Sequence, residues 1–251
     1  MCDTSILMTS VGGYLPERVV TNQDLSAKVD TSDEWIRQRT GITQRHIVAE
    51  GEKTSDLAFN AATQALERAK LNGSDIDLIV IATSTPDDTF PSTATRVQHM
   101  LGAQQAIAFD VQAVCAGFVY ALDIADAMLR GGRGQRALVI GAESFSKILD
   151  WEDRSTCVLF GDGAGAVILE ASQKAQGYGI LASKLHSDGA YRDILYVDGG
   201  PSSTGNVGYL RMEGNKVFRH AVDKLSKVMD EVLAIALSLI HISEPTRQWQ
   251  I

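Results

Sequence analysis

The chain carries three cysteines, Cys2, Cys115 and Cys157. One of them sits where chemistry is possible. In "FDVQAVCAGFVYAL", Phe109 to Leu122, an apolar β-branched strand runs into Cys115, and a helix begins there. Two readings compete. Most free cysteines are small buried hydrophobes. A cysteine at a helix N-terminus can instead be a nucleophile, because the first backbone N–H groups and their partial positive charge favour the thiolate. Two further features support the second reading. Ala116 and Gly117 are small and let a substrate or backbone approach closely. The helix after them is apolar on nearly all faces, which predicts a central, rigid mount. Cys157 lies in "STCVLFG" and reads as a core strand residue, and Cys2 is terminal and incidental. The spacing offers neither a disulfide framework nor a metal pair, which suits a reduced, intracellular setting.

The elements that must hold Cys115 alternate. "SILMTSVGGYLP" reads as a strand entering a turn. "TSDEWIRQRTG" is a short helix capped by Thr31 or Ser32, and "TSDLAFNAATQALERAKL" is an amphipathic helix. "DIDLIVIATST" is a fully buried strand, "TATRVQHMLG" a helix and "AIAFDVQA" a strand. Ala116 to Leu129 forms the next helix, closed by Gly131 and Gly132. "RALVIGAES" and "GAGAVILE" complete the set. This order predicts an α/β layer with helices covering a mostly parallel sheet. "GDGAG" is no phosphate loop, since no Gly-Lys-Ser/Thr follows.

The first layer spans residues 1–172. A second, similar unit starts at 173 and reaches 236 through "GYLRMEGNKVFRHAVDKLSKVMDEVLAIA", a loop feeding a long amphipathic helix. A full copy of the first unit needs about 80 residues more. Residues 237–251, "LSLIHISEPTRQWQI", break the helical pattern of Val222, Leu225, Val228, Val232 and Ile235 without a cap.

With 251 residues, 45% of them hydrophobic, the chain suits one large domain or two intimate ones. A net charge of -8 and a pI of about 5.1 argue against nucleic-acid binding. The N-terminus has no basic leader pattern, and no apolar run of about 18 residues predicts a membrane span.

"DVQAVCAGFVYAL" closely resembles the active-site segment of the β-ketoacyl-acyl-carrier-protein synthase III enzymes. "VDTSDEWIRQRTGITQRHI", "ATSTPDDTFPSTA", "GAESFSKILDWEDRSTCVLFGDGAGAVIL" and "YLRMEGNKVFRHAV" are similar to the family in order and spacing, over about residues 5–236. The resemblance implies a thiolase-like fold, with the N-terminal half complete and the C-terminal half truncated, and a homodimer in the cytoplasm. It implies an initiating condensing enzyme that joins acetyl-coenzyme A to malonyl-acyl carrier protein, with no metal or redox cofactor.

By that resemblance Cys115 is the acyl acceptor, and its N–H forms part of an oxyanion hole. Trp35 and Arg154 sandwich the adenine of coenzyme A. Thr31 and Arg39 lie near the nucleotide phosphates. Met212, Gly214, Asn215 and Phe218 line the pantetheine tunnel. Arg219 docks the acyl carrier protein, within a basic patch with Arg211, Lys216 and Lys224. Phe90 crosses the dimer interface into the partner's acyl pocket, which would make that pocket small. On the residues alone, Trp35 also reads as a helix-face aromatic, Arg154 and the four patch cations as solvated charges, Glu213–Asn215 as a turn and Phe218 as helix core.

The family's catalytic His, in a Pro-His-Gln-Ala-Asn segment, and its catalytic Asn find no match. His46, His99, His186, His220 and His241 stand in other contexts. Condensation by this chain is therefore expected to be impaired, and residues 237–251 are expected to be a non-family tail, a cloning remnant or a frameshift. Two other readings stay open: a related condensing enzyme with another primer or acceptor, and an inactive fragment.

Overall fold

The computed structural model describes residues 4–175 and 177–243, with side chains as far as Leu237. In chain order the elements are β1 (Ser5–Tyr14), β2 (Arg18–Thr21), α1 (Asn22–Ser26), α2 (Asp33–Thr40), β3 (Gln44–Ile47) and α3 (Thr54–Ala69). Then come β4 (Leu78–Ala82), α4 (Thr93–Leu101), β5 (Ile107–Val111), α5 (Gly117–Arg130) and β6 (Arg136–Ser144). The last are α6 (Arg154–Cys157), β7 (Asp162–Ser172), β8 (Leu195–Val197), β9 (Leu210–Met212) and α7 (Gly214–Ser243).

Five strands form one sheet in the order β1-β7-β6-β4-β5. β4 runs parallel to β5 and β6, while β7 is antiparallel to both β6 and β1. The sheet is thus mostly parallel, as expected, with β7 the exception. Every residue of β4 is buried, as its unbroken apolar run predicts for a strand covered on both faces. Ile79 and Ile81 face α3 and α4 in one core cluster. Leu78, Val80 and Ala82 face α5 in the other. This is the period-2 alternation of a pleated strand. α3 reaches the sheet through small residues. A Cβ on Gly12 of β1 would fall 2.2 Å from the Ala61 carbonyl oxygen, so only glycine allows β1 to lie so close.

Some elements differ from the sequence expectation. Cys157 is buried as expected, but it ends the short helix α6 rather than sitting in a strand. β2 and β3 pair as a separate two-stranded ribbon, as do β8 and β9. β9 gives a strand where a loop was expected. The α7 backbone continues through residue 237 to Ser243 without the expected break. Its apolar stripe stays largely open: Phe218, Leu225, Met229 and Leu233 are all exposed.

Candidate active site

The placement of Cys115 begins with β5. The Asp110 carboxylate accepts from the backbone N–H groups of Thr93 (2.7 Å) and Ala94 (2.8 Å) at the start of α4. This pins the end of β5 level with the end of β4, where Ala82 pairs with Val111. The chain then turns sharply. Val114 adopts φ +47°, a left-handed conformation that is costly for a β-branched residue. Val114–Ala116 forms a single 3-10 turn, and α5 starts at Gly117. Cys115 is exposed on that turn.

Two expectations about this junction change. The N–H groups of Ala116 and Gly117 donate to the carbonyls of Ala113 and Val114, so the turn consumes them before they can face the sulfur. Gly117 serves packing rather than substrate, since a Cβ there would lie 3.3 Å from Ala82 Cβ. α5 is also less enclosed than expected. It buries Ala121, Ala125 and Leu129 against the sheet, while Val119 on its outer face is exposed.

Cys115 opens onto a cavity of about 950 Å³. Its polar wall is Thr54 at the start of α3, Ser84 and Thr85 just past β4, and Ser144 at the end of β6. Glu143 organises that wall. Its carboxylate accepts from Ser84 N (2.8 Å) and Thr85 Oγ1 (2.5 Å). Burial pushes the Glu143 carboxyl above its ordinary value, opposed by those hydrogen bonds. The apolar wall is Phe145, Ile148, Phe160 and Leu210, which pack together with Met212. Such a cavity, mostly apolar with a few directed polar groups, suits a small acyl group and its linker.

The same wall leads along the chain to a second feature. After Ile148 come Trp151, whose indole N–H donates to Ser146 O (3.2 Å), and then Arg154 at the start of α6. Asp153 caps α6 and accepts from Ser155 and Thr156; these bonds outweigh burial and hold its carboxyl below the ordinary value. The Arg154 guanidinium lies 5.3 Å from the centroid of the Trp35 ring, and that of Arg39 lies 5.0 Å from it. A planar base between Trp35 and Arg154 needs about 7 Å, two contacts of about 3.5 Å each. To reach that spacing the half-exposed Arg154 must swing about 2 Å and loosen its contacts with Asp30, a hydrogen bond to the carbonyl and an ion pair with the carboxylate.

Residues 109–189 match the family described as 3-oxoacyl-[acyl-carrier-protein (ACP)] synthase III. A β-ketoacyl-[acyl-carrier-protein] synthase III of Paramagnetospirillum magneticum is 63% identical over 89% of this chain and 70% of its own length. The chain belongs to the β-ketoacyl-[acyl-carrier-protein] synthase III family. Its fold agrees. The crystal structure of 3-oxoacyl-[acyl-carrier-protein] synthase III from Aquifex aeolicus VF5 is similar at 48% identity and a TM-score of 0.85, over 93% of this chain and 72% of that one. The priming β-ketosynthase from the R1128 polyketide biosynthetic pathway is similar at 33% identity and a TM-score of 0.83, over 92% and 70%.

Within this family frame, the structure brings Trp35, Arg39 and Arg154 together, and places Cys115 in the cavity beside Met212's cluster. Ser32, not Thr31, caps α2, accepting from Trp35 N at 3.1 Å. Thr31 Oγ1 is shielded and has no hydrogen-bond partner. Gly214, Asn215 and Phe218 open α7, and Phe218 is 70% exposed, so it is not the helix-core residue that its pattern suggests. Phe90 is 83% exposed. The basic patch is largely neutralised. Arg211 pairs with Asp150 and Asp198, Lys216 with Glu213 and Lys224 with Asp188. Among the described residues, Arg219 alone of the four has no ion pair. His241 lies on the α7 backbone, and its side chain is outside the described residues. Glu143 and Asp110, which build the site, escaped sequence reasoning, because a lone carboxylate at a strand end carries no local signature.

Proposed function

We propose that this chain accepts an acetyl group from acetyl-coenzyme A on Cys115, as the first half of a condensation that initiates fatty-acid synthesis. The cysteine thiolate attacks the thioester carbonyl. The carbon–sulfur bond to coenzyme A breaks, and the coenzyme A thiolate leaves and takes a proton. The exchange of one thioester for another is close to balanced in energy, which suits a sulfur nucleophile. In the second half, malonyl-acyl carrier protein loses carbon dioxide. Its carbanion attacks the acyl-enzyme carbonyl and frees Cys115.

The observation that carries this reading is the exposed Cys115 on a cavity lined by Ile148, six residues before Arg154 of the Trp35–Arg154 pair. Trp35, Arg39, Arg154 and Thr31 hold the nucleotide. Met212, Gly214, Asn215 and Phe218 border the pantetheine arm, and the Cys115 N–H joins the oxyanion hole. The unpaired Arg219 supports a docking contact with the acidic acyl carrier protein. The exposed Phe90 supports a homodimer contact. No metal or redox cofactor takes part, and the setting is the cytoplasm. We assign residues 1–172 and 173–236 to the two halves of the thiolase-like fold and 237–251 to a stretch outside the family pattern. The likeness to a priming β-ketosynthase keeps a second reading, a different primer on the same cysteine.

The test is incubation of the chain with radiolabelled acetyl-coenzyme A and purified malonyl-acyl carrier protein. Label held on protein and lost with a Cys115→Ala change supports the reading. Label transferred preferentially from another acyl-coenzyme A moves it to the second.

A further inference from the structure

The buried Arg45 is the least expected charge in the molecule. It is 5% exposed, and among the described residues it forms no ion pair. Its guanidinium donates to three oxygens on two stretches of chain, Val20 O (3.2 Å) and Asn22 Oδ1 (2.9 Å) at the β2–α1 junction and Val158 O (3.0 Å) after α6. Its Nε finds no partner. A buried cation without a carboxylate is costly, and burial pulls its pKa below the ordinary arginine value. Carbonyl oxygens offset the cost only while all of them converge on it, so the arrangement acts as a rigid staple.

What it staples is specific. Val158 is the C-cap of α6, the helix that carries Arg154. Asn22 continues the network: its Nδ2 donates to Asp33 Oδ1 and to Ile42 O, both at 2.8 Å. Asp33 is the first residue of α2, two before Trp35. The chain Val158–Arg45–Asn22–Asp33 therefore links the backbone of α6 to the start of α2. The half-exposed Arg154 side chain is tethered only to Asp30, donating to its carbonyl at 2.5 Å with its carboxylate 3.5 Å away, while the two helices that carry the pair are held at a set separation from beneath. The side chains packed around the staple, Val20, Ile36 and Cys157, belong to one buried cluster that Trp35 covers.

We propose that Arg45, acting through Asn22, is a positioning residue for the Trp35–Arg154 pair and sets the spacing with which that pair grips the adenine of coenzyme A. This rests on the reading of the pair as the nucleotide clamp. Arg45 touches no ligand in this account.

The experiment is isothermal titration of the full 251-residue chain with coenzyme A, in the wild type, Arg45→Lys, Asn22→Ala, Arg154→Ala and the Arg45→Lys/Arg154→Ala double variant. Lysine keeps the charge and three donors, but all on one nitrogen, so it loses the planar fork that spans both stretches of chain. Arg45→Lys should weaken coenzyme A by about tenfold. The alkylation rate of Cys115 by iodoacetamide should stay within about twofold. In the Arg154→Ala background, Arg45→Lys should cost no further affinity, because its effect runs through Arg154. A purely structural role would not produce that loss of additivity. If Arg45→Lys does not melt cooperatively, Asn22→Ala combined with Arg154→Ala runs the same cycle. Wild-type affinity in Arg45→Lys, or losses that add fully in the double variant, overturns the positioning role while leaving the clamp intact. A wild-type chain that does not bind coenzyme A overturns the clamp, and the positioning role falls with it.

Discussion

Cys115 and Cys157 are the two cysteines among the described residues, and their surroundings are opposite. Cys157 is fully buried at the end of α6, within a cluster of Val20, Leu25, Ile36 and Ile47. Burial pushes its thiol up, and the nearby Asp153 adds to the rise. Cys115 is exposed, on a one-turn 3-10 segment that opens into the large cavity. Both are followed by small or apolar residues in the sequence, Ala116 to Tyr120 after one and Val158 to Phe160 after the other. The difference lies in what the backbone does next. After Val158 the chain stays packed beside Arg45. At Val114 it takes a left-handed turn that lifts the next side chain out of the core. An exposed sulfur in this fold is made by backbone geometry, and a buried one by packing.

Exchanging each sulfur for oxygen sharpens the contrast most. Cys115→Ser should lower acetyl incorporation from labelled acetyl-coenzyme A by about 10³-fold or more. Cys157→Ser should leave it within about threefold. Stability should show the reverse order. Cys157→Ser puts a hydroxyl in an apolar cluster and should lower the urea unfolding free energy by about 1–3 kcal/mol. Cys115→Ser, at an exposed site, should change it by less than about 0.5 kcal/mol. Equal stability losses in the two variants would break the comparison.

Alkaline pH offers a subtler test. The folded state raises the Cys157 thiol, so the unfolded chain gives up that proton first as pH rises. Stability from this group is fully present below the unfolded thiol value of about 8.5 and is lost as pH climbs through it, by at most about 1.4 kcal/mol per pH unit. Tyr14, raised by burial and by its hydrogen bond to Glu52, adds a slope at higher pH. Cys157→Ala should remove the earlier part of the decline in pH-resolved unfolding curves.

The smallest effect is expected at Val114. Val114→Gly relieves a left-handed cost of about 1–2 kcal/mol, while glycine adds about 0.5–1 kcal/mol of unfolded-state freedom. The melting temperature should rise slightly or hold. Acetylation should fall several-fold, since the turn then holds Cys115 less firmly. A large fall in melting temperature would mean that the turn stores no strain.

Much of this was legible in the chain itself. The unbroken run of β4 and the small-residue face of α3 declare a strand buried on two sides and the helix that covers it. The Ser32 cap and the αL glycine Gly41 bound α2. The family likeness pointed to Cys115, Trp35, Arg39 and Arg154 as one site, and the folded chain joins the last three around one ring. The three-residue strands β8 and β9 were not legible, because so short a run has no period to read. Nor was the 3-10 turn at Cys115, which depends on one φ angle at Val114. Long-range pairings were hidden for a different reason. Arg45 and Arg211 look alike in sequence, yet one is a buried staple and the other bridges Asp150 and Asp198 at the surface. The stripe of α7 was read correctly as amphipathic, but amphipathicity specifies a helix and a face, not what covers it.

The most direct test of the central claim is peptide mass spectrometry of the native chain after brief exposure to acetyl-coenzyme A. The account predicts an acetyl group on the peptide containing Cys115, none on the peptide containing Cys157, and loss of the Cys115 adduct on treatment with hydroxylamine, as a thioester requires. An unmodified Cys115 beside an acetylated Cys157, or no thioester on either sulfur, would contradict it.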